Sequence, residues 1–498
     1  MPSFCVTMYD KSKMSTNNTK QAAWIGIGSL MSFCFSIISS MILSRYFDKA
    51  DYGTYKQVFY VYDTLLVVFT LGLPRAYSYF LPRVDFTQSR SLIIKISLVF
   101  LLMGIIMSIS LYVFAEQIGI ILKNNDLPEA IRIFAIVPTL MLPTMGLDGI
   151  LATFKRAKLM AVYNIVTKII MLLCTALPVL LFDMNYKEAL IGFVLASFLS
   201  FIIAEILIFS PYSSVKNEKT NVSYHDIFVF SLPLLFASLW GILQNSADSF
   251  FVSRYFGKEV FAEFVNGNFE LPFVSMIVGA CATVLSPVFS KLSSEDSSVD
   301  EIKTLWIGVF EKSAMLIYPL VLYFIFFASD IMVLLYGENY EVSSTYFIIK
   351  TLVCFTNVIA IGPLLINVGY VRFYSIVQMF SAIAVVILDS LSILIINSPY
   401  AISVVQLVCK IGGTVVYLIV IAKYFSTTIW KLIPQKSIFK ILIVSISLLI
   451  CMRLITSILC ISRLLGLVVS FTVYSIAFYL ITLYLDLDYK LILRSFKR

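Results

Sequence analysis

The sequence predicts an all-α polytopic membrane protein with about 14 transmembrane helices, arranged as two six-helix lobes plus two C-terminal helices. Three observations predict it. Only 13% of the residues are charged, against about 25% in soluble domains, and the mean hydropathy is +0.93. Apolar runs of about 20 residues, the length a helix needs to cross the hydrocarbon core, recur along the whole chain. A short polar phrase, Ser-Arg-Tyr-Phe, occurs twice, at Ser44–Phe47 and Ser253–Phe256, so its copies lie 209 positions apart (253 − 44). The runs do not alternate polar and apolar residues, which excludes a membrane β-barrel.

In chain order the apolar runs cover residues 23–44, 57–80, 92–115, 131–153, 160–182 and 188–210, which form the first lobe. Runs 227–252, 264–290, 305–328, 345–368, 373–396 and 400–422 form the second, and 438–460 and 464–485 are the C-terminal pair. Each is long enough to span. The resulting plan is an N-terminal tail (1–22), an N-lobe (23–210), an inter-lobe linker (211–226), a C-lobe (227–424), helices 13 and 14 (425–487) and a C-terminal tail (488–498). The connectors are short, and no P-loop, nucleotide-binding sequence or soluble domain interrupts them.

Lysine and arginine set the orientation. With the N-terminus inside, the inside segments collect Lys11, Lys13, Lys20, Arg83, Arg90, Lys155, Arg156, Lys158, Lys216, Lys219 and the basic C-terminal tail. The outside connectors hold Arg45, Lys49, Lys56, Lys123, Lys187, Arg254, Lys258 and Arg463. The inside excess is about twofold, as the positive-inside rule requires, and it persists only if the span number is even. Both termini are therefore expected in the cytoplasm. The polar opening stretch lacks a signal-peptide core; Met1, Met8 or Met14 is the start.

Eight cysteines are scattered, six of them inside apolar runs and none in a C-x-x-C pair, so neither a disulfide framework nor a zinc site is indicated. The only histidine, His225, sits on a polar connector. No cofactor or metal is expected, and chemistry that needs a histidine base is poorly served. Nothing points to nucleic acid.

The two Ser-Arg-Tyr-Phe copies follow the first and seventh runs, which makes runs 1–6 and 7–12 candidate repeats in the same orientation. A fainter echo, Leu151–Lys158 against Leu365–Arg372, agrees. Parallel repeats of this kind are a transporter architecture, with substrate handled between the halves. "LSRYFDKADYGTYKQVF" with "TLGLPRAYSYFLPR", and later "FSLPLLFASLWGILQNSADSFFVSRYFGKEVFAEF", resemble the oligosaccharide flippases of bacterial polysaccharide synthesis, such as O-antigen and capsule flippases. These form part of the MOP superfamily, beside lipid II flippases and MATE drug exporters. The second copy departs from the family's Gly-x-Tyr pattern, reading "FAEFVNGNFELP". The resemblance implies a V-shaped pair of lobes, a cavity lined by helices 1, 2, 7 and 8, and two extra helices that MATE exporters lack.

Ionisable groups within the bilayer normally face a cavity or a partner. The candidates for substrate are Arg45, Arg75, Arg254, Lys168 and Lys350, whose positive charge suits a lipid-linked diphosphate. The candidates for ion coupling are Asp248, one turn from Gln244, and Glu270, four residues after Asn266, with Arg254 between the two carboxylates. An internal salt bridge through Arg254 is the alternative. Lys410 is expected to pair with Asp389 inside its lobe. Asp148 and Glu205 lie near inner ends, where snorkelling explains them.

The expected function is a flippase in the bacterial inner membrane. It would carry undecaprenyl-diphosphate-linked oligosaccharide from the inner to the outer leaflet by alternating access, for O-antigen or capsule synthesis, with proton or sodium coupling. Its partners would be that substrate, membrane lipids, and the polysaccharide polymerase and chain-length machinery. A MATE-like exporter is the alternative. A membrane O-antigen polymerase fits less well, because such enzymes usually display a large outside loop rich in Arg and His.

Overall fold

A computed structural model describes residues 18–209, 218–294, 299–458 and 462–485. These are helical throughout apart from turns and short connectors. The N-terminal tail to residue 17, most of the inter-lobe linker including Lys216, Cys460, and the tail beyond residue 485 lie outside the described residues.

Each apolar run is a helix. We number them α1 (Asn18–Tyr46), α2 (Lys49–Arg83), α3 (Phe86–Val113), α4 (Leu127–Phe134 with Val137–Thr153), α5 (Ala157–Phe182), α6 (Tyr186–Phe209) and α7 (Tyr224–Gly267). Then come α8 (Pro272–Ser294), α9 (Val299–Phe326), α10 (Ser343–Asn367), α11 (Val371–Ile395), α12 (Pro399–Tyr424), α13 (Gln435–Ile458) and α14 (Arg463–Tyr484). Among the described residues twelve of these are straight enough, long enough and apolar enough to span, and the two arms of α4, bent by 48°, make a thirteenth. The fourteenth is α8, a 23-residue helix with its strongly apolar part at Pro272–Ala282. The bend in α4 follows from Pro138 at the start of its second arm and Pro143 within it, since proline withholds an N–H and crowds the preceding turn.

The chain divides into two compact units, residues 1–239 and 240–498. In the first, α5 packs along α1 and α6, and α3 packs along α4. The α5–α6 contact depends on a missing side chain: a Cβ on Gly192 would stand 2.0 Å from the Cys174 carbonyl oxygen. Small residues allow this close approach in lipid, where no hydrophobic drive presses helices together. In the second unit a buried cluster gathers Phe289, Trp306, Leu364, Leu365 and Ile421 from α8, α9, α10 and α12. The pair α13 and α14 packs on α9, where the Tyr323 hydroxyl donates to the Leu467 carbonyl at 2.8 Å and Tyr474 to the Pro319 carbonyl at 3.0 Å. Outward faces are apolar: Leu394 is 81% exposed and Ile395 78%, as expected for side chains in contact with lipid tails.

The backbone carries the repeat further than the side chains do. Three of the left-handed residues in the first unit, Lys123 (φ 52°), Lys155 (φ 55°) and Asp183 (φ 52°), have counterparts in the second at Gly337 (φ 95°), Gly369 (φ 92°) and Asn397 (φ 48°). The spacing is constant: 337 − 123, 369 − 155 and 397 − 183 are each 214. At the middle pair the closing hydrogen bonds coincide. Arg156 N donates to the Leu151 carbonyl at 2.8 Å, and Tyr370 N to the Leu365 carbonyl at 2.8 Å. This six-to-one bond around a left-handed residue is the Schellman end of a helix. The two Ser-Arg-Tyr-Phe phrases likewise end straight helix at equivalent places. Asp48 (φ −66°, ψ 164°) caps α2 by accepting from Asp51 N at 2.7 Å, and Gly257 (φ 86°, ψ 174°) breaks α7 one residue after Phe256.

Candidate functional site

Each unit encloses a charged cavity of its own. In the first unit, about 410 Å³ opens between α1, α2, α4 and α5. One wall is the hydroxyl stripe of α1, with Ser36, Ser39 and Ser40 on one helical face. A second wall is aromatic: Tyr55 and Phe59 of α2 lie with ring centroids 4.9 Å apart, and Phe59 meets Phe193 of α6 edge-on at 4.9 Å. Three charges enter this space. Lys56 and Asp63 stand seven residues apart, two turns along one face of α2, and Lys168 comes from α5. Lys56 donates to the Ser40 hydroxyl at 3.0 Å and lies over the Tyr52 ring at 5.1 Å. Asp63 is exposed to the cavity and feels the charges of Lys168 and Lys56. Among the described residues it forms no direct ion pair with either.

Sequence reading found Lys168 and missed the other two. By hydropathy Lys56 falls on an outside connector; in the structure α2 begins at Lys49, so Lys56 is two turns into the helix. The signal available was the i, i+7 spacing to Asp63, together with the serine spacing on α1.

In the second unit a cavity of about 360 Å³ is bounded by α8, α10 and α12. Lys350 and Lys410 line it from α10 and α12, and Glu270 from the segment before α8. A smaller polar space of about 160 Å³ adjoins it, sharing Asn357 and Lys410 as a common wall. Lys410 feels both Lys350 and Glu270. The expected Lys410–Asp389 pair is corrected here: Asp389 is fully buried and neither carboxyl oxygen has a hydrogen-bond partner among the described residues. The reason is rotational. The two residues sit on adjacent helices, but Lys410 turns toward the cavity and Asp389 into the lobe beside Asp248.

Asp248 is 1% exposed. It accepts from Ser249 N at 2.8 Å and from the Asn268 amide at 3.4 Å, and the charge facing it is Lys350. The alternative reading, a salt bridge through Arg254, does not describe Asp248, whose polar partners are Ser249 and Asn268. Asn266 and Glu270 also fail to share a helical face, because α7 ends at Gly267 and α8 starts at Pro272. Arg254 is half-buried with its guanidinium 5.7 Å from the Tyr255 ring. Arg45 and Arg75 are exposed, at the end of α1 and in the Pro74–Phe80 stretch of α2. None of these three arginines lines either large cavity. Among the described residues no three His, Cys, Asp or Glu side chains converge as a metal site.

Comparison with known proteins fits this architecture. The fold is similar to that of the lipid II flippase MurJ in an inward closed conformation (TM-score 0.70, 16% identity, 93% of this chain and 99% of that one). It is also similar to a MOP superfamily transporter from Pyrococcus furiosus (TM-score 0.57, 14% identity, 82% and 96%). In sequence the chain is 24% identical over 196 residues to the capsular polysaccharide biosynthesis protein CapF of Staphylococcus aureus, a match over 38% of this chain that spans about half, 47%, of that relative's length. A family model described as polysaccharide biosynthesis protein matches residues 19–293, more than half of the chain, and the chain belongs to that family.

Proposed function

We propose that the protein is a flippase that moves an undecaprenyl-diphosphate-linked oligosaccharide from the inner to the outer leaflet of the bacterial cytoplasmic membrane, by alternating access. The observation that carries this reading is the pair of lysine-lined cavities inside a membrane fold of this family. Cations within a bilayer normally face a cavity or a partner, and the anionic groups of a lipid-linked glycan supply one. The protein does no covalent chemistry in this reading. The likeness to a capsular protein favours capsule over O-antigen as the destination, with a polymerase and chain-length machinery as partners. Asp248, with Asp389 behind it, is the proposed proton or sodium coupling site, and Glu270 belongs to the substrate cavity instead.

The test is reconstitution. Purified protein in liposomes, supplied with fluorescent undecaprenyl-diphosphate oligosaccharide on one leaflet, should raise the transbilayer rate above that of empty liposomes. Export of cationic drugs with no lipid-linked glycan movement would establish the MATE-like alternative instead.

A further inference from the structure

We infer that the first unit's cavity is a recognition site for an acidic sugar, a hexuronate-type residue of the glycan, with Lys56 and Lys168 holding its carboxylate and Asp63 accepting from its hydroxyls. The inference rests on the flippase reading and names the class of glycan. Charge decides the class. Two ammoniums and one carboxylate leave a single uncompensated positive charge, and a single carboxylate neutralises it. A diphosphate brings at least two negative charges and would meet Asp63 at close quarters, so this site suits it poorly. All three charges line the same space, and among the described residues no ion pair joins them. The remaining lining matches a sugar ring: the Tyr55–Phe59 wall offers apolar faces for ring C–H bonds, and Ser36 and Ser39 offer hydroxyls. A volume of about 410 Å³ falls within the roughly 300–1,000 Å³ typical of small-ligand sites. Lys56 is held in place by Ser40 and Tyr52, so little is lost in ordering it when the ligand arrives.

The experiment is saturation-transfer NMR on the full chain in detergent, with methyl glucuronide, methyl glucoside and inorganic pyrophosphate as probes. The glucuronide should receive saturation and the glucoside much less. Lys56→Gln and Lys168→Gln should each weaken glucuronide binding roughly tenfold, the loss of one hydrogen bond to a charged group, while Lys56→Arg and Lys168→Arg retain it and Lys123→Gln leaves it unchanged. Asp63→Asn should turn the preference toward pyrophosphate. Equal saturation of glucuronide and glucoside by the wild-type chain, or displacement of glucuronide by pyrophosphate, overturns the inference without any variant. In cells, Lys56→Gln/Lys168→Gln should lose surface display of an acidic glycan and keep that of a neutral one. Loss of both overturns the acidic-sugar site but leaves the flippase reading. If the wild-type chain displays neither glycan, the flippase reading falls, and the NMR comparison still decides the site.

Discussion

At Trp306 one side chain resolves a backbone problem that lipid would make severe. The α10 span is broken between Asn357 and Ile361, which frees carbonyls inside the membrane-spanning unit. Trp306, fully buried on α9, donates its indole N–H to the Ala360 carbonyl at 3.0 Å. Irregular backbone at membrane depth survives only where protein satisfies it. Trp306→Phe keeps the apolar bulk and orphans the carbonyl, so it should cost about 1–3 kcal/mol, measured as lost thermal stability in detergent; an unchanged melting temperature would remove the bond from the account. Asp248 and Lys350 present the same logic with charge. Each single neutralisation removes one side of this interaction, whereas Asp248→Asn with Lys350→Gln removes both. The double variant should therefore be more stable than the sum of the single losses by about 0.5–3 kcal/mol. Additive losses would mean the two charges are independent.

Among elements, the spans were legible in the sequence because hydropathy over about 20 residues is a strong signal. Their breaks were not. Gly257 divides α7 from a further helical stretch, and the polar start of α2 reads as connector although it is helix. That misreading hid Lys56, and with it Asp63. The face of one helix can be read from spacing, as for Gln244 and Asp248. How two helices are rotated against each other cannot, and this is why Asp389 and Lys410 were wrongly paired. The constant spacing of 214 between left-handed residues shows what duplication preserved: helix ends. It did not preserve charge, since 168 + 214 falls on Ala382 and 389 − 214 on Thr175. Each unit has two lysines and one carboxylate around its cavity; at this spacing Lys56 falls on Glu270, a reversal of charge, and the other charged positions have no charged counterpart. If the ends are equivalent, their residues should exchange in one direction. Lys155→Gly removes a left-handed side chain and should be neutral or stabilising by up to about 1 kcal/mol, whereas Gly369→Val places a β-branched residue there and should cost about 1–2 kcal/mol or more. A Cβ at Gly369 meets nothing within 4 Å, so any loss reports the backbone alone. Tolerance of valine would break the equivalence.

For the whole molecule the open variable is parity. Twelve helices are long and apolar enough to span among the described residues, the bent α4 is either a broken span or a re-entrant loop, and the 23-residue α8, apolar over Pro272–Ala282, is counted as one more crossing. With α4 crossing, the number is even and both termini share a side. With α4 re-entrant, the number is odd, and every connector after Thr153 changes side relative to the N-terminus. The basic residues argue for crossing, because only the even count keeps Lys155, Arg156 and Lys158 on the side of the N-terminal tail along with Lys423, Lys431, Lys436 and Lys440. The bend does not argue against it, because two prolines account for it and proline kinks are ordinary in spanning helices. Paired reporter fusions decide between the two. A fusion at Lys123 should read external and one at Lys155 cytoplasmic, with Lys258 external and the C-terminus after Arg498 cytoplasmic. Like signals at Lys123 and Lys155 would make α4 a re-entrant loop and would invert the whole second half. The parallel-repeat reading of the two Ser-Arg-Tyr-Phe phrases would then have to be abandoned.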